Sequence, residues 1–435
     1  MRPYDVIKKK RDGFELSEEE IRFMVQGYVD GKVPDYQMAA LLMTIFFRHM
    51  TPEERFQLTK CMAESGNIVT MEDFQGKRVD KHSSGGVADT TSLVVCPMVA
   101  ACGMNVVKMS GRGLGHTGGT IDKLESIPGF RTALSKEEVL KAVNESGIVI
   151  VGQTGNLAPA DKKLYALRDV TATIDEVSLI ASSIMSKKIA SGAEGIVLDV
   201  KTGNGAFMKE EVDAVILAEA MVDIGKRYGR ETVALVTDMN QPLGMRVGNS
   251  LEALEAIQTL RGERKGRLLT LSVELGATML QIGGIVKEID EGKQMLEDSI
   301  TTGKALEKFK AMVEVQGGKS DVVDKPEEVL PFARYTEDVV AEEDGWVEGI
   351  DTESVGRASM MIGAGREKKE DKIDLSVGLE LFKSIGDEVK KGERTARIYY
   401  NDNDKLSEVK ELLFNAFKIR KKRTIPPKLV KHIIK

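Results

Sequence analysis

Cysteine is almost missing from this chain: three residues in 435, at positions 61, 96 and 102, with no C-x-x-C spacing. An odd, scattered set argues against a disulfide framework or a zinc site and for a reducing compartment. No stretch approaches the roughly 18 apolar residues of a membrane span. The segment Met1 to Gly13 lacks the apolar core of a secretory signal. The expectation is a cytoplasmic protein with no membrane partner. An excess of positive charge is missing as well. With 62 Lys and Arg against 68 Asp and Glu, the net charge is -6, so no overall basic field exists to attract nucleic acid. The local exception is Lys418 to Lys435, which holds eight Lys or Arg and reads as a solvated tail. The nucleotide-binding pattern G-x-x-x-x-G-K-[ST] is absent.

What is present is length enough for two or three domains. Residues 1–66 read as all-helical. Ser17-Glu18-Glu19-Glu20 is a capping box whose helix reaches Gly31. Asp35 is placed to cap a second, very apolar helix, Met38 to His49. Thr51-Pro52-Glu53-Glu54 combines an N-cap, a proline at N1 and an acid at N3, and its helix stops at Gly66. The run Ala39 to Phe47 is too apolar for an exposed surface, so it is core or a subunit interface, and it motivates a homodimer.

From Val79 onward, strands (79–80, 105–109, 148–151, 195–200, 232–237) alternate with helices (89–102, 120–127, 136–146, 208–228, 249–261). That alternation predicts an α/β fold with a mostly parallel sheet, whose ligands bind beyond the carboxyl ends of the strands. Asp161 to Ser191 interrupts it with a long helical stretch whose apolar positions, such as Leu164, Leu167 and Ile180, suit packing on other helices. The stretch is expected to return to the N-terminal helices. A small helical domain (1–66 and 161–191) then stands beside an α/β domain (72–160 and 192–330). Connections near 66–72, 152–160 and 189–193 would form a hinge. Residues 340–435, with short strands and glycine turns from Asp344 to Tyr400, predict a β-rich α+β domain resembling the lipoyl or biotinyl hammerhead. Such carriers place a modified lysine in a hairpin tip; Met360-Met361-Ile362-Gly363 has none, so the module reads as structural.

The densest signal is Ser110 to Glu125, where five glycines (111, 113, 115, 118, 119) fall between the strand Asn105–Met109 and a helix from Thr120 ended by Pro128-Gly129. Strand, glycine turn and helix let several N–H groups converge on one anion. Ser110, Thr117 and Thr120 add hydroxyls, and Lys108 and Arg112 add charge. Gly113, Gly115 and Gly118 also match G-x-G-x-x-G, yet Ser110-Gly111-Arg112 intervene after the strand. The acids about 20 residues on, Glu137 and Glu138, follow Ser135 in a capping box and start a helix rather than ending a strand. A nicotinamide cofactor is disfavoured.

Two further clusters fall near strand ends, and a third lies on helices. Asp80-Lys81-His82-Ser83-Ser84-Gly85-Gly86 opens the helix after the first strand and forms a second phosphate-type site. Asp199 to Phe207 is a weaker third glycine turn. In the helical insertion Tyr165 and Arg168 share one helix face, as do Ser183 and Lys187.

Together these residues resemble the thymidine and pyrimidine-nucleoside phosphorylases: Ser110 to Glu125 matches that family's signature, and Lys81 to Gly86 and the Tyr165, Arg168, Ser183, Lys187 set match too, so the likeness spans essentially the whole chain. Lys108 stands where thymidine-restricted members carry methionine, which is closer to the bacterial pyrimidine-nucleoside enzymes. The resemblance implies reversible phosphorolysis of uridine, thymidine or deoxyuridine to free base and pentose 1-phosphate, in nucleoside salvage. It implies phosphate held by Lys81, Ser83, Ser92, Lys108, Ser110 and Thr120, and the pyrimidine held by Tyr165, Arg168, Ser183 and Lys187. Domain closure then brings phosphate to C1′, and aligned reactants gain up to roughly 7–11 kcal/mol. The transition state would be oxocarbenium-like, and His82, Arg168 and Lys187 would stabilise the departing base. Inorganic phosphate is the co-substrate and no organic cofactor is implied. A monovalent cation, K+, is implied near Ala88, Thr90, Leu243, Arg246 and Glu255; position 88 is often glycine in relatives.

Two rivals remain at this point. An anthranilate-type phosphoribosyltransferase shares the architecture and the phosphate loops, but needs an acidic pair for magnesium and pyrophosphate, and no such pair is evident in the sequence beside the loops. A phosphate-binding regulatory protein without turnover is the other.

Overall fold

The computed structural model describes residues 1–68, 74, 76–113, 115, 118–152, 157–368 and 371–435. Parts of the expected hinge (69–72, 153–156) and Thr117 lie outside the described residues.

The first four helices are α1 (Pro3–Arg11), α2 (Glu18–Val29), α3 (Asp35–Arg48) and α4 (Pro52–Ala63). Both anticipated capping boxes form: Ser17 with Glu20, and Thr51 with Glu54. Asp35 is not a cap. It is the first residue of α3, behind Pro34, and accepts from the Tyr28 hydroxyl at 3.0 Å.

The α/β part begins with β1 (Val79–Ser83), α5 (Thr91–Ala101), β2 (Val106–Ser110), α6 (Thr120–Glu125), α7 (Lys136–Ser146) and β3 (Ile148–Gly152). The insertion then forms α8 (Pro159–Asp169) and α9 (Val177–Ala190). Leu164 and Leu179 join the apolar core of α1–α4, while Ile184, Met185 and Ile189 join a core that lines the sheet. The insertion therefore packs on both. The chain continues through β4 (Gly195–Thr202), α10 (Glu211–Arg227), β5 (Glu231–Asp238), β6 (Arg246–Gly248) and α11 (Asn249–Leu260). Helices α12 (Arg267–Ile282), α13 (Ile289–Thr301), α14 (Lys304–Val315) and α15 (Pro326–Val329) follow.

Strands β1, β4 and β5 are parallel, as the alternation predicted, and β2 and β3 form a separate parallel pair. The residues of β4 alternate between two cores: Val197 packs in one, and Ile196, Leu198 and Val200 in the other. With both faces covered, a charged side chain in these strands has to find a charged partner. That rule organises the site.

The C-terminal part comprises β7 (Tyr335–Val340), β8 (Gly345–Ile350), α16 (Thr352–Ser359), β9 (Gly378–Leu381), β10 (Glu388–Val389), β11 (Arg394–Tyr400), α17 (Leu406–Ala416), β12 (Phe417–Arg420) and β13 (Val430–Ile434). One sheet runs β6-β9-β11-β7 and another β10-β8-β12. Met360–Ala364 is a π-helical turn, not a hairpin tip. The basic C-terminus departs from the expected solvated tail. It supplies β12, and then β13, which pairs antiparallel with β5 on the edge of the central sheet. Leu429 and Val430 pack against one core and Ile434 against the other, and Lys431 and His432 meet Glu211 at 2.9 and 2.6 Å.

Candidate active site

Strand β1 divides the site, because consecutive residues point to opposite faces. Lys81 and Ser83 share one face with Asp199, which lies opposite Ser83 in the ladder. Asp80 and His82 share the other, toward α9 and β2.

On the first face Lys81, 1% exposed, donates to the Thr91 hydroxyl and lies 3.6 Å from Asp199. Lys201 Nζ is 2.7 Å from Asp199 Oδ2 and 3.8 Å from Asp89. Ser83 Oγ donates to Asp89 Oδ2 at 2.5 Å. Burial alone would raise the Asp89 carboxyl, but Lys201 and Lys81 outweigh it and hold it well below the usual range. Ser92 lies in the first turn of α5, where unpaired backbone N–H groups favour anions.

On the second face Lys188 Nζ donates to Asp80 Oδ2 at 2.7 Å, and Lys108 Nζ sits 3.6 Å from Asp80 and donates to the Lys81 carbonyl at 2.6 Å. Burial pushes Lys108 down to about 8 against the pull of Asp80. His82 is partly buried, and desolvation, followed by Lys188, Lys108, Lys187 and Lys81, holds its imidazole well below the usual histidine range. At neutral pH it is a neutral N–H donor.

Gly113 and Gly119, on either side of the glycine-rich turn, pack against each other. A Cβ on Gly119 would lie 2.0 Å from the Gly113 nitrogen, so only glycine fits there. Asp122 accepts from the Gly113 N–H at 2.7 Å and pairs with Arg112 at 3.0 Å. Arg366, from the C-terminal part, clamps the same carboxylate with two bonds of 3.0 and 3.1 Å and donates to the Gly113 carbonyl at 3.2 Å. Lys123 is buried against Glu252 at 2.5 Å and donates to the Asp89 carbonyl at 2.8 Å. Ser110 ends β2 opposite Gly152, and Thr120 opens α6.

In the insertion, Lys187 Nζ donates to Ser183 Oγ at 3.2 Å and Asp161 Oδ2 at 2.8 Å. Arg168 is 2% exposed and spends three N–H groups on the carbonyls of Thr173, Ile174 and Leu179. Its Cζ lies 5.8 Å from the Tyr165 ring. The half-exposed Tyr165 and the pair Ser183–Lys187 present polar groups; much of Arg168 is committed to holding the turn between α8 and α9.

The segments that carry Ala88, Leu243 and Arg246 also meet. The Leu243 and Gly244 N–H groups donate to the carbonyls of Val87 and Ala88 at 3.2 Å each. Glu255, buried, accepts from the Met245 and Arg246 N–H groups at 2.8 and 3.0 Å, and burial pushes its carboxyl up. Ala88 holds a left-handed φ of 55°, where glycine would be unstrained. Thr90 donates its hydroxyl to Glu252 at 2.6 Å, which leaves oxygen lone pairs for another partner.

Three family models match the chain: the helical bundle domain of a glycosyl transferase family over residues 4–66, its a/b domain over 75–306, and the pyrimidine nucleoside phosphorylase C-terminal domain over 346–420. Pyrimidine-nucleoside phosphorylase of Geobacillus stearothermophilus is 53% identical over 430 residues, covering 99% of both chains. That of Bacillus subtilis is 52% identical over 434 residues, covering 100% of both.

The chain belongs to the pyrimidine-nucleoside phosphorylase family.

A solved anthranilate phosphoribosyltransferase from Thermus thermophilus aligns with a TM-score of 0.60 at 19% identity, covering 72% of this chain and 99% of that one. The likeness extends to the fold alone. The acid pair not evident in the sequence does exist in space, as Asp89 and Asp199, but Lys201 stands against both and Lys81 beside Asp199. Among the described residues no cluster of three or more potential metal ligands forms, and no helix is long and apolar enough to cross a membrane.

In the sequence, no role of their own fell to Asp80, Asp89, Thr91, Asp161, Lys188 and Lys201, the partners that hold the site side chains in place. One signal was available. Gly195-Ile-Val-Leu-Asp-Val-Lys-Thr202 is a buried parallel strand with two charges in it, and Val79-Asp80-Lys81 has the same character. Charge inside a buried strand marks a paired cluster.

Proposed function

We propose that this chain cleaves pyrimidine nucleosides by phosphorolysis: the C1′–N1 bond breaks, a phosphate oxygen bonds C1′, and the base leaves with the glycosidic electron pair and takes up a proton. The observation that carries this reading is the split of β1, with the anion-type pair Lys81 and Ser83 on one face and His82 on the face shared with Lys188 of α9. One strand then serves both reactants.

Phosphate is held by Lys81, Ser83, Ser92, Lys108, Ser110 and Thr120, and the base by Tyr165, Arg168, Ser183 and Lys187. His82 donates a hydrogen bond to the pyrimidine O2 as negative charge develops there, and Lys187 offsets the same charge. Arg168 acts mainly by fixing the α8–α9 turn, with its remaining N–H groups toward the base. The helical part (1–66 with 161–191) closes on the α/β part (72–160 with 192–330), while 340–435 braces the glycine-rich loop. A monovalent cation such as K+ fits Ala88, Thr90, Leu243, Arg246 and Glu255, because a buried carboxylate and backbone carbonyls suit a weakly hydrated cation. Bound there, it would neutralise Glu255 and fix the loop before α5. Uridine, thymidine and deoxyuridine are the proposed nucleosides.

A homodimer through α1 and α3 is supported by Tyr4, Tyr36 and Phe47, which are 61, 73 and 71% exposed. Incubating the protein with uridine and following free uracil by absorbance tests the function. Release that requires phosphate supports it, and release that requires phosphoribosyl pyrophosphate and magnesium replaces it with a transferase.

A further inference from the structure

The anion cradle contains a group that anion binding alone does not call for. Asp89 Oδ2 lies 2.5 Å from Ser83 Oγ, and its Oδ1 lies 2.6 Å from the Thr91 hydroxyl and 3.2 Å from the Thr91 nitrogen. The Asp89 side chain is only 8% exposed. The Gly85 N–H donates to Ser83 Oγ at 3.2 Å, so the single hydroxyl proton of Ser83 goes to Asp89. An oxyanion that takes this proton leaves Asp89 Oδ2 without its donor, buried beside a second negative oxygen. Both effects are unfavourable. One arrangement removes them: the incoming anion carries a proton of its own and donates it to Asp89, while its other oxygens face Lys81 and Ser83. Inorganic phosphate at neutral pH always keeps at least one proton. Sulfate has the same shape and a similar size, and keeps none.

We propose that Asp89 sets the anion specificity of this cradle, selecting a protonated tetrahedral oxyanion, phosphate, over an unprotonated one, sulfate. The inference rests on the phosphorolysis reading above. Thr91 links the carboxylate to Lys81, donating to Asp89 while accepting from the lysine. Asp89 is therefore held in place by the same side chains that face the anion.

The test uses the full-length protein, with sulfate as competitor against phosphate in uridine phosphorolysis. For the unaltered protein, the inhibition constant of sulfate is expected to exceed the phosphate KM by about tenfold or more, as for a site built to accept a hydrogen bond its analogue cannot donate. Arsenate, protonated like phosphate, competes near the phosphate KM. Asp89→Asn presents an amide that donates to an unprotonated oxygen, so the sulfate-to-phosphate ratio should fall about tenfold. Asp89→Glu keeps the ratio. A merely structural Asp89 would lower activity or melting temperature and leave the ratio alone. An unchanged ratio in Asp89→Asn, or sulfate competing as well as phosphate in the unaltered protein, overturns the proposal, and the second readout does not depend on any variant folding. Lack of phosphate-dependent uracil release would instead remove the phosphorolysis reading, and calorimetric titration with phosphate and with sulfate would still read the ratio.

Discussion

Lys187 and Lys188 stand side by side on α9 and donate to different carboxylates: Lys187 to Asp161 at 2.8 Å on α8, and Lys188 to Asp80 at 2.7 Å on β1. The last turn of α9 is thereby tied both to the proposed base-holding side chains and to the strand that carries Lys81 and His82. Asp80 is buried; desolvation would raise its carboxyl, yet Lys188 and Lys108 hold it low.

Removing Lys188 leaves Lys108, 3.6 Å away, as the lysine still beside that carboxylate. Lys188→Met should therefore cost up to about 3–5 kcal/mol, the range for breaking a buried pair, and lower the urea midpoint. Adding Asp80→Asn should restore part of the loss, since the stranded charge disappears with it. Equal midpoints for the single and double variants would show that the pair is not the source.

Lys108 gives a pH prediction. Burial lowers its ammonium to about 8, and the protonated form is the one that attracts phosphate. Binding in the window above pH 8 then requires proton uptake, so phosphate KM should rise by up to about tenfold per pH unit there. Below pH 8 this group is already protonated and contributes no slope. Phosphate's own second ionisation is centred beneath that window and is mostly over when the window opens. Lys108→Met should flatten the alkaline limb, and a limb that survives in the variant would assign it to another group.

Arg366 makes a third case, because it lies more than 200 residues from the loop it clamps and is tied to Asp122 by two charge-assisted bonds. Such bonds contribute about 1.5–3 kcal/mol each, and Arg112 still holds Asp122 when Arg366 is gone. Arg366→Ala should keep the fold and raise phosphate KM several-fold, with a smaller change in kcat. Unchanged phosphate titrations would confine Arg366 to packing.

The parts of this molecule that were legible in the sequence are those written by local rules. Capping boxes at Ser17 and Thr51 and the alternation of strands and helices each depend on neighbours in the chain, and each formed. What stayed hidden depends on pairing at a distance. The last residues of the signature, Asp122, Lys123 and Glu125, read only as a short helix; in space they are scaffolding, bonded to Arg366, Glu252 and Arg112. The C-terminus was read from its charge, although it carries the apolar residues Leu429, Val430 and Ile434 among its lysines, and β5 supplies the ladder that makes it a strand. Arg168 shared a helix face with Tyr165 as expected, but the carbonyls that absorb its guanidinium belong to a turn that spacing alone does not reveal.

His82 is the sharpest test of mechanism. Its imidazole is held neutral by burial and by Lys188, Lys108, Lys187 and Lys81, so before phosphate enters it can donate an N–H but carries no positive charge. A dianion arriving beside it offsets those lysines and favours the protonated ring, which would link acid assistance to phosphate occupancy. A pyrimidine leaves more easily when O2 receives a proton or a hydrogen bond, and a positioned acid contributes about 10²–10⁴-fold. His82→Ala should therefore lose about that factor with uridine and far less with 5-fluorouridine, whose base departs readily as an anion. The competing account gives His82 only the task of ordering the loop after β1. That account predicts the same loss for both substrates, so the ratio of the two rates, measured at saturating phosphate, decides between them.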